Sequence, residues 1–148
     1  MDKRLINACL AGLLLTAAPS FALEFRSTAE HGTILYESPS EQAKKVFLVS
    51  KSTPLEVLVE HRDWLRVRDQ AGSLAWVQKK SVSSRRTVQV TAIKTELRKD
   101  YSPKSTLIAR LERGVVVDLL DMGKNGWVKV QHRDGAVGYL RIEEVWGL

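Results

Sequence analysis

A chain of 148 residues, 44% hydrophobic and 27% charged, has the composition of an ordinary globular protein. Its single cysteine, Cys9, lies in a leading segment that reads as an export signal, so the mature chain would hold no disulfide, no thiol nucleophile and no cysteine metal ligand. The formal net charge of +6 is spread over acidic and basic residues that interleave almost everywhere, a pattern that serves solubility; where the surplus meets a partner, anionic envelope polymers or lipid head groups are the natural class, and export leaves nucleic acid out.

Residues 1–22 carry the export pattern. Lys3 and Arg4 give a positive start, and Leu5–Ala18 is apolar apart from Asn7 and Thr16. Ser20 and Ala22 then place small residues at the two positions a signal peptidase reads, so cleavage is expected after Ala22. The apolar run is shorter than the ~20 residues that cross a bilayer, so no stable membrane span is expected after cleavage. Cys9 is not read as a lipid-attachment site, because no hydrophobic run precedes it and Asn7 fits such a site poorly. Losing Asp2, Lys3 and Arg4 leaves 21 of the 23 basic and 16 of the 17 acidic residues, a net charge of +5. The protein is expected in the periplasm or otherwise exported.

After the signal, Leu23–Ser27 reads as a short lead-in. His31–Tyr36 is strand-like and ends at the turn signal Glu37-Ser38-Pro39-Ser40. Val46–Val49 is a short strand, broken by Lys51-Ser52-Thr53-Pro54. Leu55-Glu56-Val57-Leu58-Val59 follows, and its alternation predicts Leu55, Val57 and Val59 on one face. Glu60-His61-Arg62-Asp63 is a loop. Trp64–Val77 then reads as a β-hairpin, with alternating arms around Asp69-Gln70-Ala71-Gly72. Asp at the first position and Gly at the fourth favour a type I turn. Gln78–Val82 is expected to close the unit with a short 3₁₀-like turn.

The hairpin occurs twice. Trp64–Val77 is answered by Trp127–Leu140 at a constant offset of 63 residues, so that Trp64 matches Trp127, Arg66 matches Lys129, Val67 matches Val130, Gly72 matches Gly135 and Trp76 matches Tyr139. Upstream the offset is 62, with Leu35-Tyr36 on Leu97-Arg98, Val46 on Ile108, Val49 on Leu111, and Leu55 and Val57 on Val117 and Leu119. The one extra residue falls in the loop Asp121–Gly126, where an insertion costs little. Repeats of this kind decide the fold before anything else does, and two copies are too few for a solenoid or propeller. Thr87–Ile93 resumes a strand pattern after the polar stretch Ser83-Ser84-Arg85-Arg86, which is the expected boundary. Each unit holds about five short strands in roughly 60 residues, which predicts a small barrel or sandwich. A domain of that size buries only about 60% of the surface its unfolded chain exposes, so contact between the units is expected to help.

The pattern resembles the bacterial SH3-like (SH3b) family, in its tandem exported group. The resemblance is carried in the first unit by Leu55–Val59, Trp64-Leu65-Arg66-Val67-Arg68-Asp69, Gly72, Trp76-Val77 and the linker Ser84-Arg85-Arg86-Thr87. In the second it is carried by Leu97-Arg98, Arg113-Gly114-Val115-Val116, Gly126-Trp127-Val128-Lys129-Val130, Gly135, Gly138-Tyr139 and the ending Val145-Trp146-Gly147-Leu148. It implies an all-β fold of two consecutive SH3-like barrels, 23–84 and 85–148, in the periplasm or cell envelope, and a binding module more than an enzyme; several relatives bind peptidoglycan or its peptides. The family often has Asn-(Leu/Val)-Arg-x-Gly-Pro-Ser early in a unit. Here the first unit has Ile34-Leu35-Tyr36-Glu37-Ser38-Pro39-Ser40, the second keeps Leu97-Arg98 without the Gly-Pro, and the usual Gly before the second aromatic is Ala75 in one and Gly138 in the other.

The chemistry points to binding. The histidines His31, His61 and His132 lie in different segments, with no metal-ligand spacing, no Cys–His arrangement and no phosphate loop among them. No enzymatic activity, cofactor or metal is expected. Trp64, Trp76, Trp127, Tyr139 and Trp146 are candidate platforms for peptide or sugar rings, with Arg66, Lys129 and Arg98 placed to pair with carboxylates of a wall peptide. Core packing is the more ordinary use for Trp64 and Trp127, since small barrels need large fillers. Trp146 is expected to plug the second barrel. No Tyr-rich cluster of the kind that holds Pro-x-x-Pro ligands is visible. Arg85-Arg86 is expected either to meet an anionic surface or to cap the contact between units through Glu143 or Glu144. The expected partner is a cell-wall polymer, peptidoglycan or its stem peptides first. The alternative is an adaptor docking on another envelope protein.

Overall fold

The computed structural model describes residues 22–148. The expected signal peptide, except for its last residue, lies outside the described residues. The first barrel is built from β1 (Glu24–Thr28), β2 (Thr33–Tyr36), β3 (Lys45–Val49), β4 (Pro54–His61), β5 (Trp64–Arg68), β6 (Leu74–Gln78) and β7 (Val82–Ser83). The second is built from β8 (Thr87–Val90), β9 (Lys94–Arg98), β10 (Leu107–Glu112), β11 (Val116–Asp121), β12 (Trp127–Gln131), β13 (Val137–Arg141) and β14 (Val145–Trp146). One sheet runs in the order β3-β2-β6-β5-β4-β1-β7 and the other repeats it as β10-β9-β13-β12-β11-β8-β14. The fold is all-β, in two consecutive seven-stranded units. A 3₁₀ turn at Lys79–Ser81 closes the first barrel, as its sequence predicts, and Ile142–Glu144 repeats it in the second.

Three local expectations need correction. The lead-in is a strand: β1 pairs with both β4 and β7, joining segments far apart in the chain. Its pattern hides because the buried residues after Phe25 are Ser27 and Thr28. Their hydroxyls are satisfied by backbone, Ser27 Oγ donating to Arg85 O at 2.8 Å and Thr28 Oγ1 to Ser50 O at 2.6 Å, so burial is tolerated. Strand β4 does not alternate to its end. A register shift between Val57 and Val59 turns Val59 outward, leaving it 47% exposed while Leu55 is fully buried. His61, placed in a loop by sequence, ends β4 opposite Trp64.

Each barrel has its own core, filled from matching positions. Leu35, Leu55, Leu65, Val67 and Val77 in the first answer to Leu97, Val117, Val128, Val130 and Leu140 in the second. Burying each such side chain is worth about 1.5–3 kcal/mol, which makes these faces the main source of stability. The hairpin turns follow their sequences. Gly72 N–H donates to Asp69 O at 3.0 Å and Gly135 N–H to His132 O at 2.9 Å. Both glycines have positive φ, +87° and +94°, with no atom near where a Cβ would stand, so backbone conformation alone asks for glycine there.

The two barrels meet through the linker. The Phe25 ring, 4% exposed, packs edge-on against Trp146 with centroids 5.1 Å apart. The Arg86 guanidinium lies 5.4 Å over the same ring and donates from Nη2 to Gly147 O at 2.8 Å. Thr87 Oγ1 reaches back to Ser52 O in the first barrel at 2.8 Å. Gly147, at φ +119°, is wedged so closely that a Cβ would stand 2.7 Å from Thr87 O and 3.4 Å from Pro54 Cβ. Trp146 therefore bridges the barrels through Phe25. Of the linker arginines, Arg86 stitches this contact, and not through Glu143 or Glu144. Arg85 pairs with Asp118 on β11 within the second barrel, and that hydrogen bond and charge raise the Arg85 pKa above its usual value.

Candidate functional site

Strand parity separates the core from a second, outward face. On β5, Leu65 and Val67 point inward, so Trp64, Arg66 and Arg68 share the opposite face; on β6, Ala75 and Val77 point inward, so Leu74, Trp76 and Gln78 share it. The same face takes in Tyr36 of β2, which registers with Trp76, and Trp76 in turn registers with Arg66. The rings of Tyr36 and Trp64 stand edge-to-face at 5.3 Å, and those of His61 and Trp76 at 6.4 Å. Four aromatic side chains thus gather on the outer face of the first barrel, with Arg66 exposed among them. Tyr36, Trp64 and Trp76 are half-buried and His61 is exposed, so aromatic surface remains at the solvent face, where rings can stack against a flat ligand.

The core role expected for Trp64 is not what the structure has. Trp64 is half-buried on the face away from the core, while Leu and Val side chains fill the interior. Its parity with Arg66 and Arg68 carried that information in the sequence. Tyr36 and His61 were missed as partners of the tryptophans. The aromatic cluster becomes visible only when the sheet order places β2 beside β6 and β4 beside β5.

A groove runs beside this cluster. It lies between Trp64, the loop Ser40–Gln42 and the 3₁₀ turn with Lys79 and Lys80. Gln78 Nε2 donates to Glu41 across it, Lys80 stands 3.9 Å from the same carboxylate, and Lys79 pairs with Glu60. Below β5, the buried carboxylate of Glu56 takes both Nε and Nη2 of Arg68 at 2.9 Å. That charge is buried and paired, so it serves the sheet and leaves nothing for a ligand.

The second barrel places its matching residues alike but in different chemistry. Trp127 is 7% exposed, outside the core cluster, with the Arg141 guanidinium 5.0 Å over its ring. Tyr139 registers with Lys129 on one side and Arg98 on the other, and its ring meets that of Tyr101 edge-to-face at 5.6 Å. A groove of about 390 Å³ opens beside Trp127, between Pro103, Arg98 and Arg141, and overlaps the position of the first only in part. The predicted residues therefore fall into two sets. Trp64, Trp76 and Arg66 share the outer face of one barrel; Trp127, Tyr139, Lys129 and Arg98 share that of the other. Sequence reasoning named Arg98 but missed Tyr101 and the other charged groups of the second groove, which come from three separate segments.

The histidines stay apart. His132 lies in the second hairpin turn, its Nδ1 2.9 Å from Asp134. The Asp134 carboxyl is held below its usual range, first by the backbone N–H of Ala136 and then by His132. Among the described residues, no group of three or more His, Cys, Asp or Glu side chains is arranged to hold a metal ion, and no helix is long and apolar enough to cross a membrane.

The two barrels share one topology, and each has a groove beside the tryptophan that begins β5 or β12. The model of the bacterial SH3 domain matches residues 29–84 and again residues 94–147, and the chain belongs to that family. No curated protein matches it. Solved structures similar to it include NlpC1 from Trichomonas vaginalis, at 15% identity over 87% of this chain and 47% of that one with a TM-score of 0.38. NlpC2 from the same organism matches at 16% over 84% and 48%, with a TM-score of 0.37. An NlpC/P60 family protein from Bacillus cereus ATCC 10987 matches at 13% over 83% and 56%, with a TM-score of 0.39. This chain spans about half the length of those proteins, and likeness at this level assigns it no activity.

Proposed function

We propose that this protein is an exported, non-enzymatic binding module of the cell envelope, with barrels at 23–84 and 85–148, and that its ligand is peptidoglycan or its stem peptides. The observation that carries this reading is the outward cluster of Tyr36, Trp64, Trp76 and His61, set beside a groove edged with Glu41, Lys79 and Lys80. Stacking surfaces next to charges of both signs suit a polymer of sugar rings and short charged peptides. The excess of basic residues supports the same partner, because the wall is anionic. The residues proposed to touch ligand are Trp76, Tyr139, Trp64, Trp127, Arg66, Lys129 and Arg98.

Co-sedimentation with purified sacculi tests this. The protein is expected to pellet with sacculi, and Trp76→Ala and Tyr139→Ala variants with unchanged circular dichroism are expected to pellet less. A protein that stays in the supernatant at low salt would remove the wall as ligand. One observation favours the second reading, an adaptor for another envelope protein. Strand β3 ends its sheet and exposes Phe47 and Leu48, at 41% and 73%, an apolar strand edge of the kind that pairs with other chains. Cross-linking through Leu48→Cys to a single envelope protein, in the absence of sacculus binding, would establish that reading instead.

A further inference from the structure

The groove of the second barrel carries six charged side chains: Lys94, Glu96, Arg98, Arg110, Arg141 and Glu144. The matching positions of the first barrel hold Gly32, Ile34, Tyr36, Leu48, Gln78 and Ser81, none of them charged. The two barrels have the same strand order and comparable cores. The fold therefore forms without these charges, and their concentration around Trp127 calls for another use.

We propose that this groove binds a zwitterionic amino-acid head group, a carboxylate and an ammonium carried on one residue. The proposal rests on the reading of the barrels as ligand-binding modules and names the chemistry one of them takes. Internal pairing uses only part of the charge. Glu96 accepts from Arg98 and lies 3.7 Å from Arg110, while Arg98 is also fixed by donating from Nη1 to Ser105 O at 2.8 Å. Arg141 is held over Trp127 and lies 3.4 Å from Glu143. Lys94 has no ion-pair partner among the described residues, and most of the Arg110 side chain, 67%, is exposed. These two are the cations available to a ligand carboxylate. Glu144 accepts the hydroxyl of the buried Thr95 on Oε2, which orients the carboxylate and leaves Oε1 for a ligand ammonium.

Other ligand classes fit less well. A simple cation would meet four basic groups and is penalised by like-charge repulsion. A phosphate dianion would pair with the basic groups but leave the Glu144 carboxylate without a partner. A neutral apolar ligand would desolvate the charges without pairing them. A ligand with both signs satisfies the groove from either side. The volume of about 390 Å³ lies at the small end of ligand pockets, the scale of a residue or two and not of a long polymer segment.

The test is a titration of the protein, expressed from its full sequence, with alanine, N-acetylalanine and alaninamide, followed by amide and indole N–H chemical shifts. Alanine is expected to shift Lys94, Thr95 and the Trp127 indole saturably. Blocking either the amine or the carboxylate is expected to weaken binding at least about tenfold, the loss of one charge-assisted contact. Arg110→Gln should abolish the preference for alanine over alaninamide, and Glu144→Gln, which keeps an acceptor for Thr95, the preference over N-acetylalanine. Equal binding of the three compounds, or no saturable shift with any of them, overturns the proposal. Sacculus binding reads the broader reading separately. Alanine binding without sacculus binding removes the wall and leaves the groove, whereas sacculus binding without alanine binding removes only the groove.

Discussion

The two barrels are one fold with two surfaces. Facing inward, they differ little: Leu35 matches Leu97 and Val67 matches Val130 without change, and Leu65 against Val128 is an exchange of one aliphatic residue for another. Facing outward, they part. Tyr36 gives way to Arg98, Leu48 to Arg110, Gln78 to Arg141 and Trp76 to Tyr139. The first barrel presents an aromatic cluster, the second a charged groove with Trp127 under Arg141. Packing constrains the inner face because a cavity or clash there costs several kcal/mol, whereas an exposed change usually costs within about half of one. Chemistry that differs between copies is therefore read on the outer face.

The contact between the barrels offers the largest test of this comparison. Phe25 belongs to the first barrel but packs on Trp146 and beneath Arg86. Phe25→Ala is expected to cost about 3–5 kcal/mol in denaturant unfolding. It should also split a shared transition into two, because each barrel has its own core. A smaller test compares matching positions in the two sheets. A Cβ on Gly138 would stand 2.6 Å from Arg98 O and 2.9 Å from Leu97 Cγ, while the first barrel holds Ala75 there. Gly138→Ala should destabilise the second barrel by about 1–3 kcal/mol, and Ala75→Gly the first by about 0.5–1 kcal/mol. Equal effects in unfolding curves would mean that β13 and β6 approach their neighbours alike.

The smallest effect belongs to the second hairpin turn. Asp134 has a folded-state pKa below its unfolded value, chiefly through the Ala136 N–H. The stability it adds is present above the ordinary carboxylate pKa and is lost as pH falls through the depressed folded value. Asp134→Ala should therefore lower the melting temperature slightly at neutral pH and leave it unchanged in strong acid. In the first turn Asp69 takes the Ser73 N–H at 2.8 Å instead, so the two turns place their carboxylates at different positions.

What the sequence made legible follows from local rules. The repeat, the hairpins, the turn glycines and the 3₁₀ closure all rest on residues close in the chain. What it left hidden was assembled from distance. Strand β1 was read as a lead-in because its pairing runs to β4 and β7 and its buried positions are Ser27 and Thr28. Tyr36 and His61 joined the tryptophans only through the sheet order. Lys94, Arg110 and Glu144 come from β9, β10 and the closing 3₁₀ turn, which no spacing along the chain connects. Trp64 is the instructive exception. Its parity with Arg66 already placed it outside, but the expectation that a small barrel needs a large filler prevailed.

The most direct test of the central claim, that the two outer faces bind the envelope by different chemistry, is sacculus pelleting of wild type, Trp76→Ala and Arg110→Gln at low and high salt. Exposed charges are screened by salt and aromatic stacking much less so. Wild type is expected to pellet at low salt and to lose part of that binding at high salt. Arg110→Gln should lose the salt-sensitive part, and Trp76→Ala the part that survives. Identical salt curves for the two variants, or wild type in the supernatant at low salt, would contradict the account.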